Sequence, residues 1–333
     1  MGTTGFTAQA RGAGEQAEVV ALLTRALLIA AAAGVLLIVL QGPIFAGAFA
    51  ISPASAEVET LAREYMAIRI WSAPAAIALY GVTGWLIAQE RTRAVLVIQV
   101  WMNGVNILLD LWFVLGLGWG VQGVAVATLI AEWSGLALGL WFCRAAFADA
   151  RWRDWARVGD RVRLIRMAQV NGDILIRSVL LQTIYVSFLF FGSGFGDVPL
   201  AANQILIQFI QITAYAMDGF AFSAEALVGQ AMGARVRALL RRAAVLCSFW
   251  GLVTTLVLAA VFALTGTSLI DLMTTAPEVR IEARSYLLWM ALAPPAGWAA
   301  WRLDGTFIGA TRSRDMRNMM IGSTLGCFGA CAA

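Results

Sequence analysis

Three stretches of this chain, Ala26 to Ala56, Ser178 to Gly196 and Ala243 to Ile270, carry no charged side chain. Each supplies about 20 apolar residues, enough for a helix to cross a hydrocarbon core of roughly 30 Å. Lipid offers no partner for backbone N–H and C=O groups, so a spanning segment must be a helix or part of a closed barrel. Continuous apolar runs, as opposed to alternating ones, select helices. Composition agrees: 60% of the residues are hydrophobic and 13% charged, against about 45–50% and about 25% in an ordinary soluble domain. The expected class is an all-α polytopic membrane protein.

Spans are expected near residues 19–41, 61–88, 94–117, 120–143, 171–195, 198–228, 238–264 and 281–309, with another from near 315. Residues 1–10 read as the tail of one more, which makes about nine to ten. The connecting segments alternate in arginine content. Arg11 is followed by none at 42–60, then Arg91 and Arg93, none at 116–121, and seven arginines from Arg144 to Arg166. Asp197 stands alone in the next segment, Arg235, Arg237, Arg241 and Arg242 follow, then Arg280 near an outer helix end, then Arg312, Arg314 and Arg317. By the positive-inside rule the Arg-rich loops face the cytoplasm. The 24 basic residues exceed the 20 acids by only 4, too small an excess to indicate a nucleic-acid partner. The chain has no His and no C-x-x-C pair, and Cys143, Cys247, Cys327 and Cys331 sit in or beside apolar runs. They read as small apolar helix residues, with no metal, disulfide or cofactor expected. No basic start followed by a small-residue cleavage site marks a signal peptide.

A single offset of 221 (230 − 9) aligns two distant parts of the chain without a gap. It pairs Gln9, Ala10, Gly12 and Ala13 with Gln230, Ala231, Gly233 and Ala234. It also pairs Glu57, Arg63 and Tyr65 with Glu278, Arg284 and Tyr286, and Pro74, Gly84, Arg91 and Arg93 with Pro295, Gly305, Arg312 and Arg314. Chance agreement between apolar helices returns Ala and Leu, not this series. Matching positions fall on the same membrane side, so the expected halves are parallel six-helix repeats, an arrangement found in secondary transporters. Extending the offset implies a twelve-helix parent with about 57 residues before Met1 (164 − 221) and roughly 31 after Ala333 (143 + 221 − 333). The expected organisation is an N-terminal bundle at 1–143, an Arg-rich linker at 144–169 and a C-terminal bundle at 170–333.

Ionisable groups at mid-bilayer cost about 2.5–3.5 kcal/mol on insertion scales, so each needs a partner, a wet cavity or a task. On the 94–117 helix, Gln99, Asn103, Asn106 and Asp110 are spaced 4, 3 and 4 and share one face, with Asp110 roughly 10 Å deep. A carboxylate there, beside amides, can bind and release a proton. A structural seam, with Asp110 neutralised by Arg69, is the competing reading. The offset counterparts Met320, Thr324, Cys327 and Cys331 lack the polar pattern, which favours function, since a seam needed for packing would recur. On the 198–228 helix, Gln204, Gln211, Asp218 and Glu225 recur every seven residues with Gln208 beside them. They read as a wall of a water-filled cavity or as a polar contact, two readings left open, with Asp173 and Arg177 as partners. Asp173 and Arg177 are spaced as an i,i+4 ion pair. Glu132 is a second acid or a partner for Arg69, Arg302 and Asp304 read as snorkelling to the helix end, and Gly135-x-x-x-Gly139 reads as a packing motif. No nucleophile–base set is evident, so no enzyme is expected and no catalytic residue is assigned.

The strings Met1-Gly-Thr-Thr-Gly-Phe-Thr-Ala-Gln-Ala10, Ala201-Ala-Asn-Gln204 and Tyr215-Ala-Met-Asp-Gly-Phe-Ala-Phe-Ser-Ala-Glu225, continuing to Gly229-Gln230, resemble the multidrug and toxic compound extrusion (MATE) family, in the branch of the DNA-damage-inducible F protein. The resemblance covers essentially the whole chain. It implies an antiporter in a bacterial inner membrane that exports small amphipathic or cationic compounds in exchange for protons or sodium by rocking two helix lobes. The family's first-half cation site looks like Asn106-x-x-x-Asp110, joined by an Asp of a first helix that this chain does not contain. A flippase for lipid-linked precursors, with the same superfamily architecture, and an inactive fragment are the alternatives.

Overall fold

A computed structural model describes residues 2–51, 56–148, 150–194 and 196–332. Residues 52–55 of the outer loop, Asp149 of the linker and the side chain of Cys331 lie outside the described residues. The described chain is helical throughout: α1 (Gly2–Gly12), α2 (Gln16–Val39), α3 (Gln41–Ile51), α4 (Ala56–Arg69), α5 (Ala73–Ala88), α6 (Thr92–Asp110), α7 (Gly120–Phe142), the short α8 (Arg144–Ala148) and α9 (Trp155–Val158), α10 (Arg161–Ser193), α11 (Asp197–Gly233), α12 (Arg237–Met273), α13 (Pro277–Ser285), α14 (Leu287–Gly309) and α15 (Ser313–Ala332). Short 3-10 turns join α4 to α5 and follow α8, and α6 runs into a π-helical turn at Leu111–Gly116. Seven helical segments among the described residues are long and apolar enough to cross a membrane. The expectation of about nine to ten spans adds α14, α15 and the short α1 to these. Large apolar side chains face outward along these helices, Leu264 and Leu272 at 84% and 85% exposure among them, which is stable only where the surroundings are lipid.

The chain divides into two units, Gly14–Arg161 and Thr4–Ala13 with Val162–Ala333. In the first, α2 packs along α5, and α7 packs on α4, α5 and α6. Close approach is set by small residues: a Cβ on Gly34 would stand 2.4 Å from the Pro74 backbone, and one on Gly139 would stand 2.9 Å from Val82. The 144–161 part of the expected linker is folded onto α2 in this unit, not free of it. Cys143, at its start, is buried, and that burial pushes its thiol up to about 12. In the second unit α11, α12 and α14 pack on one another around Ile205, Phe209, Phe262, Ile270 and Ala283. Phe209 meets Phe262 edge-on at 5.0 Å. Residues Thr4–Ala13, most of α1 and the residue after it, belong to this second unit.

The duplication is visible in the helix ends. Helices α1 and α11 end at Gly12 and Gly233; α2 and α12 begin at Gln16 and Arg237; α4 and α13 begin at Ala56 and Pro277. Helices α5 and α14 end at Ala88 and Gly309, and α6 and α15 begin at Thr92 and Ser313, each pair again 221 apart (309 − 88). Backbone conformation repeats as well. Gly14 and Arg235 have φ of 77° and 57°, and Glu90 and Thr311 have φ of 59° and 54°. These left-handed residues follow helix ends, where the turn requires φ > 0. A side chain pays roughly 1 kcal/mol for that conformation and glycine does not. Arg235→Gly, which restores the residue its repeat partner carries, is therefore expected to stabilise the protein by about 1 kcal/mol, read as a higher midpoint of thermal unfolding in detergent.

Candidate functional site

In the first unit the polar face of α6 divides along its length. Gln99 and Asn103 are exposed, and Asn103 bonds back to the Gln99 carbonyl at 2.9 Å. One turn on, the Asn106 Nδ2 donates to Thr128 Oγ1 on α7 at 3.2 Å. Asp110 is half-buried at the last position of α6, and its Oδ1 is shielded from solvent with no hydrogen-bond partner. The backbone widens into the π turn directly after it, a feature that often accompanies functional positions because it displaces side chains from α-helical register. The structure brings Asn106 and Asp110 together with Thr128 on α7 and leaves Gln99 and Asn103 on the surface.

Arg69 does not neutralise Asp110. Its guanidinium forms a two-point pair with Glu132 on α7, at 2.9 and 3.1 Å, and donates to Ser72 Oγ at 2.7 Å. The fork geometry of the guanidinium matches a carboxylate, which makes this the better partner. The structural seam of this unit is thus the α4–α7 pair, separate from the α6 face.

In the second unit the polar stripe of α11 also divides. Gln204, Gln208 and Gln211 are exposed, Asp218 is half-buried, and Glu225 is 1% exposed. The Glu225 carboxyl lies beside Thr4 of α1, and its Oε2 has no partner. The expected i,i+4 pair of Asp173 and Arg177 is not formed. Asp173, buried, accepts from Ser313 Oγ at 2.8 Å and from Arg317 Nη1 at 2.6 Å on α15. Arg177 instead reaches Asp304 on α14 at 2.5 Å. Both charges find partners on other helices, where the part-buried setting makes a pair worth more than along an exposed helix surface. Arg302 and Asp304, read as snorkelling, have partners inside the unit: Asp304 holds Arg177, and Arg302 donates to Ser248 Oγ at 2.8 Å.

Arg177 faces both Asp218 and Asp304, and Glu225 lies within electrostatic reach of those two acids. Two carboxylates therefore face one guanidinium, with Glu225 near both of those acids. Arg177 and Asp304 also line a cavity of about 730 Å³ whose apolar wall includes Phe307, Met316, Met319 and Met320. That is within the usual size of a small-molecule site, and methionine walls adapt to varied shapes.

The sequence matches the MatE family model over residues 1–112 and 174–327. It is 38% identical over 330 residues to DNA damage-inducible protein F of Escherichia coli, covering 98% of this chain and 71% of that protein. The chain belongs to the MatE family. A probable multidrug resistance protein NorM of Synechocystis is 27% identical over 73% of this chain and 54% of its own length. Among solved structures, the Vibrio cholerae MATE transporter VcmN in its bent form superposes with a TM-score of 0.81 at 19% identity, covering 96% of this chain and 72% of that one. A MOP superfamily transporter from Pyrococcus furiosus does so with a TM-score of 0.80 at 19% identity, over 97% and 73%. At such identities the likeness establishes the fold. This MatE-family chain is an integral membrane efflux transporter and not an enzyme. Within it, Thr128, Ser313, Arg317 and Asp304 are polar neighbours of the candidate residues that sequence reasoning does not place at the site, since it reads Asp304 as snorkelling and Arg317 as a loop charge. Asp304, a charge inside an apolar helix, carried a signal; Thr128 and Ser313 carried none.

Proposed function

We propose that this MatE-family transporter exports small amphipathic cations in exchange for protons, with Asp110 as the coupling carboxylate. It would do so in a bacterial inner membrane with its Arg-rich loops toward the cytoplasm. The observation that carries the reading is the buried, partnerless Asp110 Oδ1 one helical turn from the Asn106–Thr128 contact. A carboxylate oxygen held out of water without a donor gains a partner by taking up a proton, and the adjacent amide and hydroxyl supply polar company for either state. Alternating exposure then follows if the two units rock, releasing the proton on one side and accepting it on the other.

The substrate reading rests on the second unit, where the lining of a methionine-rich cavity pairs Asp304 with Arg177 and Asp315 with Arg312. Asp218 and Glu225, near that cluster, are the further acids that would attract an amphipathic cation. A pyrophosphate-bearing lipid is disfavoured because Arg69 and Arg177, the mid-span cations it requires, are held by Glu132 and Asp304. One proton moving down about 100 mV supplies roughly 2.3 kcal/mol, enough for about a fifty-fold gradient of a neutral solute. A monovalent cation costs the same amount to expel, so its exchange runs on the pH difference.

The test is efflux of a fluorescent cation from vesicles containing the purified protein under an imposed proton gradient. The wild type is expected to drive efflux, and Asp110→Asn to fall to the level of protein-free vesicles. Unchanged proton-driven efflux in Asp110→Asn removes Asp110 from coupling. A sodium gradient that drives the wild type where a proton gradient does not would replace the proton by sodium.

A further inference from the structure

The segment between α7 and α10 is a built surface for which the transport reading has no use. It leaves the membrane at Phe142, the end of α7, and continues through α8 and α9 to Arg161, so it lies at headgroup level on the Arg-rich side. From Arg144 to Arg161 it holds five arginines and three aspartates, an excess of two.

One side of the segment is clamped to α2. Arg25, 2% exposed, donates through Nε to the Val158 carbonyl at 2.9 Å and through Nη2 to the Arg157 carbonyl, while Nη1 pairs with Glu18 at 2.6 Å. Thr24 Oγ1 reaches the Trp152 carbonyl at 3.4 Å, and the Phe147 and Trp152 rings meet edge-on. A flexible connector needs no such anchorage, because burying an ion pair costs desolvation that only fixed geometry returns.

The other side presents aromatic rings and guanidiniums together. Trp141 and Trp155 are 54% and 59% exposed. Arg144 lies over the Trp141 ring at 4.3 Å and Arg153 over the Trp152 ring at 4.7 Å, and both arginines are exposed. Arg91 joins them by donating Nη1 to the Phe142 carbonyl at 3.0 Å. Stacking uses the face of a guanidinium and leaves its in-plane N–H groups available; Arg144 turns Nη1 to the Trp141 carbonyl at 3.3 Å and keeps the others. Such an edge matches a phosphodiester in two-point fashion, while exposed tryptophans settle at the boundary between headgroups and acyl chains.

We infer that this clamped segment is a binding platform for anionic phospholipid headgroups, with Arg144 and Arg153 as the phosphate ligands and Trp141 and Trp155 as its interfacial anchors. The choice of an anionic lipid follows from charge: zwitterionic headgroups carry a cation that the arginine excess repels. The platform is independent of the coupling carboxylate, so the two readings fail separately.

Native mass spectrometry of the detergent-solubilised protein, titrated with phosphatidylglycerol or phosphatidylcholine, tests it. The wild type is expected to retain phosphatidylglycerol in preference to phosphatidylcholine. Arg144→Gln with Arg153→Gln should weaken phosphatidylglycerol retention by about fivefold for each arginine removed and leave phosphatidylcholine retention unchanged. Equal phosphatidylglycerol retention by variant and wild type, or no preference in the wild type, overturns the assignment. Should the double variant not fold, vesicles with brominated lipids decide. The fluorescence that Trp155→Phe removes should be quenched more by brominated phosphatidylglycerol than by brominated phosphatidylcholine, and equal quenching overturns the platform.

Discussion

Replacing Arg25 by leucine is expected to destabilise the first unit by about 3–5 kcal/mol, the usual cost of breaking a buried ion pair from one side. Three acceptors lose the Arg25 donor at once, the Glu18 carboxylate and the carbonyls of Val158 and Arg157, of which the last keeps the Asp160 N–H at 3.3 Å. The side chains of Arg25 and Glu18 are 1% and 8% exposed, so water does not take over those bonds. Arg157 stands 3.8 Å from the far Glu18 oxygen, too distant for a full hydrogen bond. The loss is read as a lower unfolding midpoint in detergent together with faster proteolysis of residues 144–161, since the clamp is what holds that segment on α2. Glu18→Leu combined with Arg25→Leu should recover much of the loss, because an apolar pair no longer strands a buried charge. A single variant as stable as wild type would mean that the segment is held by its apolar contacts alone.

Alanine at Gly12 or Gly233 is expected to cost about 1–3 kcal/mol each, the range for forcing extra carbon into a packed contact. A Cβ on Gly12 would stand 2.0 Å from the Gln230 carbonyl oxygen, and one on Gly233 would stand 2.0 Å from the Gln9 carbonyl oxygen. The obstacle is backbone in both cases, so no side-chain rotation relieves it. The two contacts are images of each other under the repeat, since Gly12 corresponds to Gly233 and Gln9 to Gln230. Helices α1 and α11 thus cross about a local two-fold, and Gly229, whose Cβ would come within 2.5 Å of that of Ala8, sits at the same crossing. Because both substitutions push on one contact, their combined effect should depart from the sum of the singles. Hydrogen exchange along α1 would rise with each variant; unchanged protection would show that the helices part without cost.

Much of the architecture was legible because it rests on local rules. Uncharged runs of about 20 residues must be helices in lipid, and the repeat required only that two stretches of text agree. Its offset then reappeared in helix ends as different as Ala56 and Pro277. The candidate site was legible in part. The spacing of Asn106 and Asp110 on one helix face survived folding, because helical periodicity is a property of the chain itself. The contact of Asn106 with Thr128 depends on how α7 is turned about its own axis, which no spacing within α6 encodes.

The ion pairs mark the boundary. Asp173 and Arg177 stand four apart and read as a pair, yet each crosses to another helix, as do Arg69 to Glu132 and Arg25 to the carbonyls of α9. Charges in a low-dielectric interior pair with whatever opposite group is brought closest with water excluded, and that proximity is set by helix packing over sequence separations of 63 to 144 residues. Sequence alone determined the membrane class, the helix register, the duplication and the polar face that ends at Asp110. Tertiary structure decided which charges are neutralised, which carboxyl oxygens are left without a donor, and that the segment after α7 is pinned in place. Those outcomes turn on distances of a few ångströms between helices, and the apolar surfaces that set them leave the partner unnamed in the text of either one.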